Sequence, residues 1–256
     1  MRYGLPFNTK DFTEEQTAEW SESFRDQKFN EAVDKVAPVI AKLDADVLLL
    51  QEVGNQSDTQ ALRTKISALG LSYPHIFVCR CTDTTTTQHV AVFSRIKLEN
   101  TVPLIQGREG YYQEDDDANT ERETGLSKSL KVVFKIRGQT VHFFGLHLKS
   151  ERGFSEADNQ RIAQASIVRR TYLPLLTSGQ HVIVAGDFND GRGQPALRRL
   201  RGFDDIGPDL IQTGNKNFFP EAKWDQRWTH VFEGVRGQID HILISRSLRS
   251  AFKVEA

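Results

Sequence analysis

The sequence predicts an α+β fold in which two mixed β-sheets pack face to face with helices outside. Two observations carry that reading. Strand-like runs come in series with hairpin signals between them, so neighbouring strands pair antiparallel. The apolar runs are also too numerous for one sheet, and a few amphipathic segments interrupt them.

In chain order, Phe29, Val33, Val36, Ile40 and Leu43 recur at steps of three and four. They predict a helix from about Arg25 to Leu43, disturbed at Pro38. The run Val47–Leu50 in "DADVLLLQEV" is short and continuously apolar, as in a strand buried on both faces. Ser57 or Asp58 is expected to cap a helix carrying Leu62, Ile66 and Leu69, which Gly70 ends. "HIFVCR", "HVAVFSR", "LKVVFKI" and "TVHFFGLHL" follow as strands, the last two joined by the turn "RGQ". A helix from about Ser155 to Leu176 presents Ile162, Ala165, Val168, Tyr172 and Leu175 on one side. Then come the strand "HVIVAGD", a short helix near Pro195–Leu200, and late strands in "WTHVFEG" and "QIDHILIS". The segment Glu109–Glu123 is the most polar part and is expected to be a surface loop.

With 256 residues, 38% hydrophobic content and no Pro/Gly/Ser-rich linker, residues 1–256 are expected to form a single domain. The formal net charge is -1, so contact with nucleic acid requires a local basic surface. No stretch is long and apolar enough to be a membrane span, and no apolar leader follows Met1. A cytoplasmic location is the expectation from that, or a secreted one if the N-terminus is trimmed. A monomer is expected. Cys79 and Cys81 are two residues apart in a strand-like run, where a bridge would be strained.

Polar residues recur at the ends of apolar strands. "VLLLQEV" delivers Gln51 and Glu52, "HFFGLHLKS" delivers His147 and Lys149, and "VIVAGDFND" delivers Asp187 and Asn189. "GQIDHILIS" delivers Asp240 and His241 near a strand's beginning. Each has an ordinary structural explanation: a helix-entry carboxylate, a solvent-facing imidazole, an Asx turn, an edge-strand charge. All four must hold at once if the site is to be dismissed. Phosphoester hydrolysis needs this set. Mg2+, with Mn2+ or Ca2+ as alternates, binds through one or two carboxylates and keeps waters, so Glu52 suffices as anchor. Asn189 can donate to a phosphate oxygen, Asp187 can orient the attacking water, and His147 can donate to the phosphate or leaving group. Lys149 and Arg152 in "HLKSERG" offer phosphate-contacting cations. Arg161, Arg169, Arg170, Arg198, Arg199 and Arg201 add basic character, with Arg169 and Arg170 read as a solvated helix face.

"DADVLLLQEV", "GLHLKS", "VAGDFND" and "QIDHILIS", in this order, resemble the endonuclease/exonuclease/phosphatase superfamily over roughly Asp44 to Ser245. The resemblance implies a four-layer α/β/β/α sandwich and a divalent-metal-dependent phosphoesterase, with nucleic acid or another phosphoester as substrate. It implies that Glu52 binds metal, His147 acts on the phosphate, and Asp187 and Asn189 position nucleophile and phosphate. Asp240 corresponds to the aspartate that orients the catalytic histidine, and Lys128 in "GLSKSL" to a basic residue facing substrate. Asn8 corresponds to the asparagine near the metal. Two departures stand out. No Ser-Asp-His segment follows "QIDHILIS", leaving His241 as the one substitute for its histidine, and Pro6 sits awkwardly before Asn8. Both fit a domain lacking its C-terminal strand or strands and trimmed at its N-terminus; the other explanation is a short variant. A nuclease is the leading expectation. A phosphomonoesterase or lipid phosphodiesterase on the same scaffold, and an inactive binding domain, are the alternatives.

Overall fold

The structure, a computed structural model, describes residues 22–82, 88–104, 109–113, 121–151, 154–202, 209–213 and 226–251. Helix α1 (Glu22–Leu43) leads to β1 (Val47–Val53), α2 (Gln56–Ala68), β2 (His75–Cys79) and β3 (His89–Ser94). Strands β4 (Leu98–Pro103), β5 (Gly110–Gln113), β6 (Glu121–Thr124), β7 (Ser129–Ile136) and β8 (Gln139–His147) follow. Then come α3 (Phe154–Thr177), β9 (His181–Asp187), α4 (Pro195–Arg201), β10 (Leu210–Gln212), β11 (His230–Phe232), β12 (Val235–Gly237) and β13 (Asp240–Ser245).

Two main sheets result, one of three strands in the order β1-β3-β2 and one of six in the order β10-β13-β9-β8-β7-β4. Alternation along the strands makes them the inner layers of a sandwich. In β1, Val47 and Leu49 face the other sheet, while Leu48 faces α1 and α2. In β8, Phe143 joins the core between the sheets, while Phe144 packs under α3. The helices therefore cover the outer faces, giving four layers. Leu49 enters the opposite sheet at Gly145, where a Cβ would stand only 2.6 Å from its Cδ1. That close approach is why residue 145 has no side chain.

Local details depart from the sequence reading. The cap of α2 is Asn55, not Ser57 or Asp58. Its side chain accepts from the Ser57 and Asp58 amides, and Asp58 accepts in return from the Asn55 amide at 3.1 Å. This reciprocal box contributes about 1 kcal/mol. Helix α1 runs through Pro38, which lies on an exposed face where water takes over the missing hydrogen bond. The polar segment Glu109–Glu123 is not simply a loop: its two ends pair as the β5–β6 hairpin, with Gly110 against Ile167 of α3. The "WTHVFEG" strand pairs only with β12 among the described residues, forming a two-stranded ribbon.

The sheets differ in width. Among the described residues β1 is the outer strand of the smaller sheet. Beyond it, Ile242 on β13 is 50% exposed, on the opposite face from the buried Leu243. A cavity of about 840 Å³ opens there, with Val47, Leu49 and Gln51 on one side and Phe143, Ile183 and Ile242 on the other.

Candidate functional site

One rung of the large sheet collects the chemistry. His147 ends β8, Asp187 ends β9, and Asp240 opens β13, and the register pairs His147 with Asp187 and Asp187 with Asp240. Lys128 precedes β7 and extends the rung, because its carbonyl accepts from the His147 amide at 2.9 Å. Period-two alternation carries the four from inner-facing positions. Leu130 and Val132, Phe143, and Ala185 share their faces and belong to the core between the sheets.

Glu52 comes from the opposing sheet. Between Leu50 and Val53 the pairing with β3 slips by one residue, a β-bulge, and Glu52 takes a left-handed φ of 53°. The bulge lets Val53 pack under the helices and leaves the Glu52 carboxylate exposed and within electrostatic reach of Asp187. A non-glycine residue at positive φ marks a place where local strain is tolerated for position. Asn189, at φ 48°, is another.

The "GDFND" stretch is an Asx turn as well as a site wall. Asp187 Oδ1 accepts from the Asn189 amide at 2.7 Å, and Asn189 Nδ2 donates to the Leu148 carbonyl at 3.0 Å. Both side chains are thereby held in one orientation. Asp187 Oδ2 stands 3.8 Å from His147 Nε2. Burial pushes the Asp187 carboxyl up to about 7, opposed by the Asn189 amide and reinforced by the negative charges of Asp240, Glu52 and Glu151. Asp240 is also raised, chiefly by burial, and is held by the Thr229 hydroxyl, with His230 acting on it electrostatically. Thr229 Oγ1 itself accepts from the Ile239 and Asp240 amides, each at 3.1 Å.

This much uncompensated carboxylate fits a hard divalent cation held partly by water. Among the described residues no three His, Cys, Asp or Glu converge into a closed cage. A cation of the Mg2+ kind does not need one.

Lys128 Nζ donates to Gln88 Oε1 at 3.4 Å, close to where β3 begins opposite Val53. Lys149 is exposed two residues past His147. Asn8 and Arg152 lie outside the described residues. His241 does not stand in for a catalytic histidine. One step from Asp240 along β13, it faces the other side of the sheet, 3% exposed and 5.5 Å from the Phe188 ring. Its Nε2 lies 2.8 Å from the Asp190 carbonyl and its Nδ1 2.9 Å from Gln212 Nε2, so both ring nitrogens are engaged. Burial lowers its pKa to about 4. Two arginines read as basic surface are structural. Arg161 is buried and bonded to Asp158 and the Lys149 carbonyl, and Arg169 pairs with Asp209 at 2.5 Å.

Sequence reasoning missed Thr229, His230 and Glu151. Thr229 and His230 stand in "WTH", and their only signal is the hairpin that turns them back to Asp240.

No curated protein matches the chain. A sequence profile described as the endonuclease/exonuclease/phosphatase family matches residues 20–254. Among solved structures, truncated TDP2 from Caenorhabditis elegans superposes with a TM-score of 0.56 at 16% identity, covering 86% of this chain and 78% of that one. An endonuclease/exonuclease/phosphatase family protein from Leptotrichia buccalis gives 0.55 at 15% identity, over 88% and 83%. The human Nocturnin catalytic domain with bound sulfate gives 0.56 at 16% identity, over 86% and 75%. At these identities the likeness is one of fold.

Proposed function

Because the chain belongs to the endonuclease/exonuclease/phosphatase family, we propose that it is a divalent-metal-dependent phosphoesterase that hydrolyses phosphodiester bonds in nucleic acid. The observation that carries this reading is the rung of Lys128, His147, Asp187 and Asp240 facing Glu52 across the gap between the sheets.

Glu52 is the anchor for a cation of the Mg2+ kind, with the Asp187 and Asp240 carboxylates contributing charge. When bound, the cation neutralises the phosphate and stabilises the leaving oxygen. Asp187 holds the attacking water: its Oδ1 is fixed by the Asn189 amide, and Oδ2 is left toward His147. Asn189 gives one amide proton to Leu148, which sets its plane and leaves the second for a non-bridging oxygen. His147, buried beside Asp187, donates to the phosphate or the departing oxygen. Lys128 adds positive charge at the same end of the strands. Asp240, held by Thr229, keeps the far side of the rung in register.

The test is cleavage of plasmid DNA and of bis-p-nitrophenyl phosphate with and without Mg2+, comparing the natural chain with Glu52→Ala. Metal-dependent turnover that Glu52→Ala loses supports the proposal. No metal-dependent turnover on either substrate overturns it.

A further inference from the structure

The β11–β12 ribbon stands off the sandwich with both faces exposed, and an isolated two-stranded hairpin is marginal in water. It nevertheless carries apolar side chains in the open. Phe232 is 62% exposed, Val235 71%, Val231 48%, and Trp228 at its root 43%. A concentration of this kind on one ribbon marks a contact surface.

The rings are arranged. His230 and Phe232, two apart on one strand, lie nearly parallel at 10° with centroids 6.3 Å apart. Arg236 covers the Trp228 ring at 5.1 Å. The ribbon is tied to the candidate site through Thr229, which holds Asp240, and Arg227, Trp228 and Thr229 line the same cavity as Gln51 and Asp240. Cations gather at its root, where Arg192 feels the charges of both Arg227 and Arg201. Three guanidinium groups in mutual reach favour an anion between them.

We propose that the β11–β12 ribbon is a stacking platform for the bases of single-stranded nucleic acid, with Arg192 and Arg227 at its root receiving backbone phosphates. The inference rests on the phosphodiesterase reading for its substrate class. Exposed rings on a ribbon beside a basic groove are how unpaired bases are held without sequence preference, since every base offers a flat face. A lipid surface suits the ribbon less well. Its turn is Glu233-Gly234, so an anionic side chain leads and the rings run along the strand behind it.

Fluorescence anisotropy of a labelled single-stranded oligonucleotide of about 12 nucleotides, in EDTA, reads this without turnover; that length spans typical sites for such grooves. The natural chain binds, Phe232→Ala weakens binding about tenfold or more, and Phe232→Tyr restores it. An abasic strand of equal length binds the natural chain no better than the normal strand binds Phe232→Ala. Arg227→Ala reduces the log–log salt slope by about 0.7, the loss of one phosphate contact. Equal binding by Phe232→Ala, equal binding of the abasic strand, or partition onto anionic vesicles in place of the oligonucleotide overturns the platform. Hydrolysis of bis-p-nitrophenyl phosphate without oligonucleotide binding also overturns it while the proposed activity stands. Ring-dependent binding by a chain that hydrolyses nothing leaves the platform standing and removes the activity.

Discussion

Gln51 and Gly186 meet in the gap between the sheets. Gln51 Nε2 donates to the Leu146 carbonyl at 2.7 Å, and a Cβ on residue 186 would stand 2.7 Å from that nitrogen and 1.9 Å from the carbonyl oxygen. Gly186, at φ 140°, is therefore the opening through which β1 is fastened to β8, one residue before Glu52 and one before His147.

Gly186→Ala is expected to destabilise the chain by more than about 2 kcal/mol, because strain at positive φ adds to a backbone clash. The midpoint of urea denaturation measures it. Gln51→Ala removes only the hydrogen bond and costs about 1 kcal/mol. If the two variants are equally stable, the close approach is not what requires glycine.

Asp187→Asn is expected to stabilise the metal-free chain at pH 8 while removing hydrolysis. The folded carboxyl titrates at about 7, above its ordinary 3.8, so ionisation is disfavoured in the fold. That cost is absent below the unfolded value, grows as pH rises, and is complete above the folded one. Asparagine keeps an oxygen for the Asn189 amide without the charge. Denaturation with and without Mg2+ checks it: the metal stabilises the natural chain more than the variant.

His241 contributes acid sensitivity. Its folded pKa of about 4 lies below the ordinary 6.5, so the fold prefers the neutral ring. Stability from His241 is complete above pH 6.5 and is lost as pH falls toward 4, by about 3 kcal/mol in all. The raised carboxyls of Asp187, Asp190 and Asp240 act with the opposite sign in the same window. The measurement is therefore the difference between the natural chain and His241→Gln across pH 4 to 6.5. A pH-independent difference would mean that the ring is not buried neutral.

Much of the site was legible because strand alternation is a local property. "TVHFFGLHL" and "HVIVAGD" place His147 and Asp187 two residues beyond Gly145 and Ala185, so facing the core side was already implied. The same alternation separates Asp240 from His241, since adjacent residues of a strand cannot share a face. What the letters "DH" concealed was burial, which turns His241 into a hydrogen-bonded core histidine. Arg161 misled for the same reason. A helix arginine shows its solvent only when the neighbouring strands are in place.

By itself the amino-acid sequence determined the strands, the outer helices, the inner faces of β8 and β9, and the carboxylates, amide and imidazole available at their ends. These follow from period-two and period-three-to-four patterns carried within a few residues. Only the tertiary structure decided that Lys128, His147, Asp187 and Asp240 share one rung, that a bulge brings Glu52 to them, and that the "WTH" ribbon returns to Asp240. Register, bulges and the approach of one sheet to another depend on residues more than ninety positions apart, as Gln51 and Leu146 are, and no local pattern encodes such a meeting.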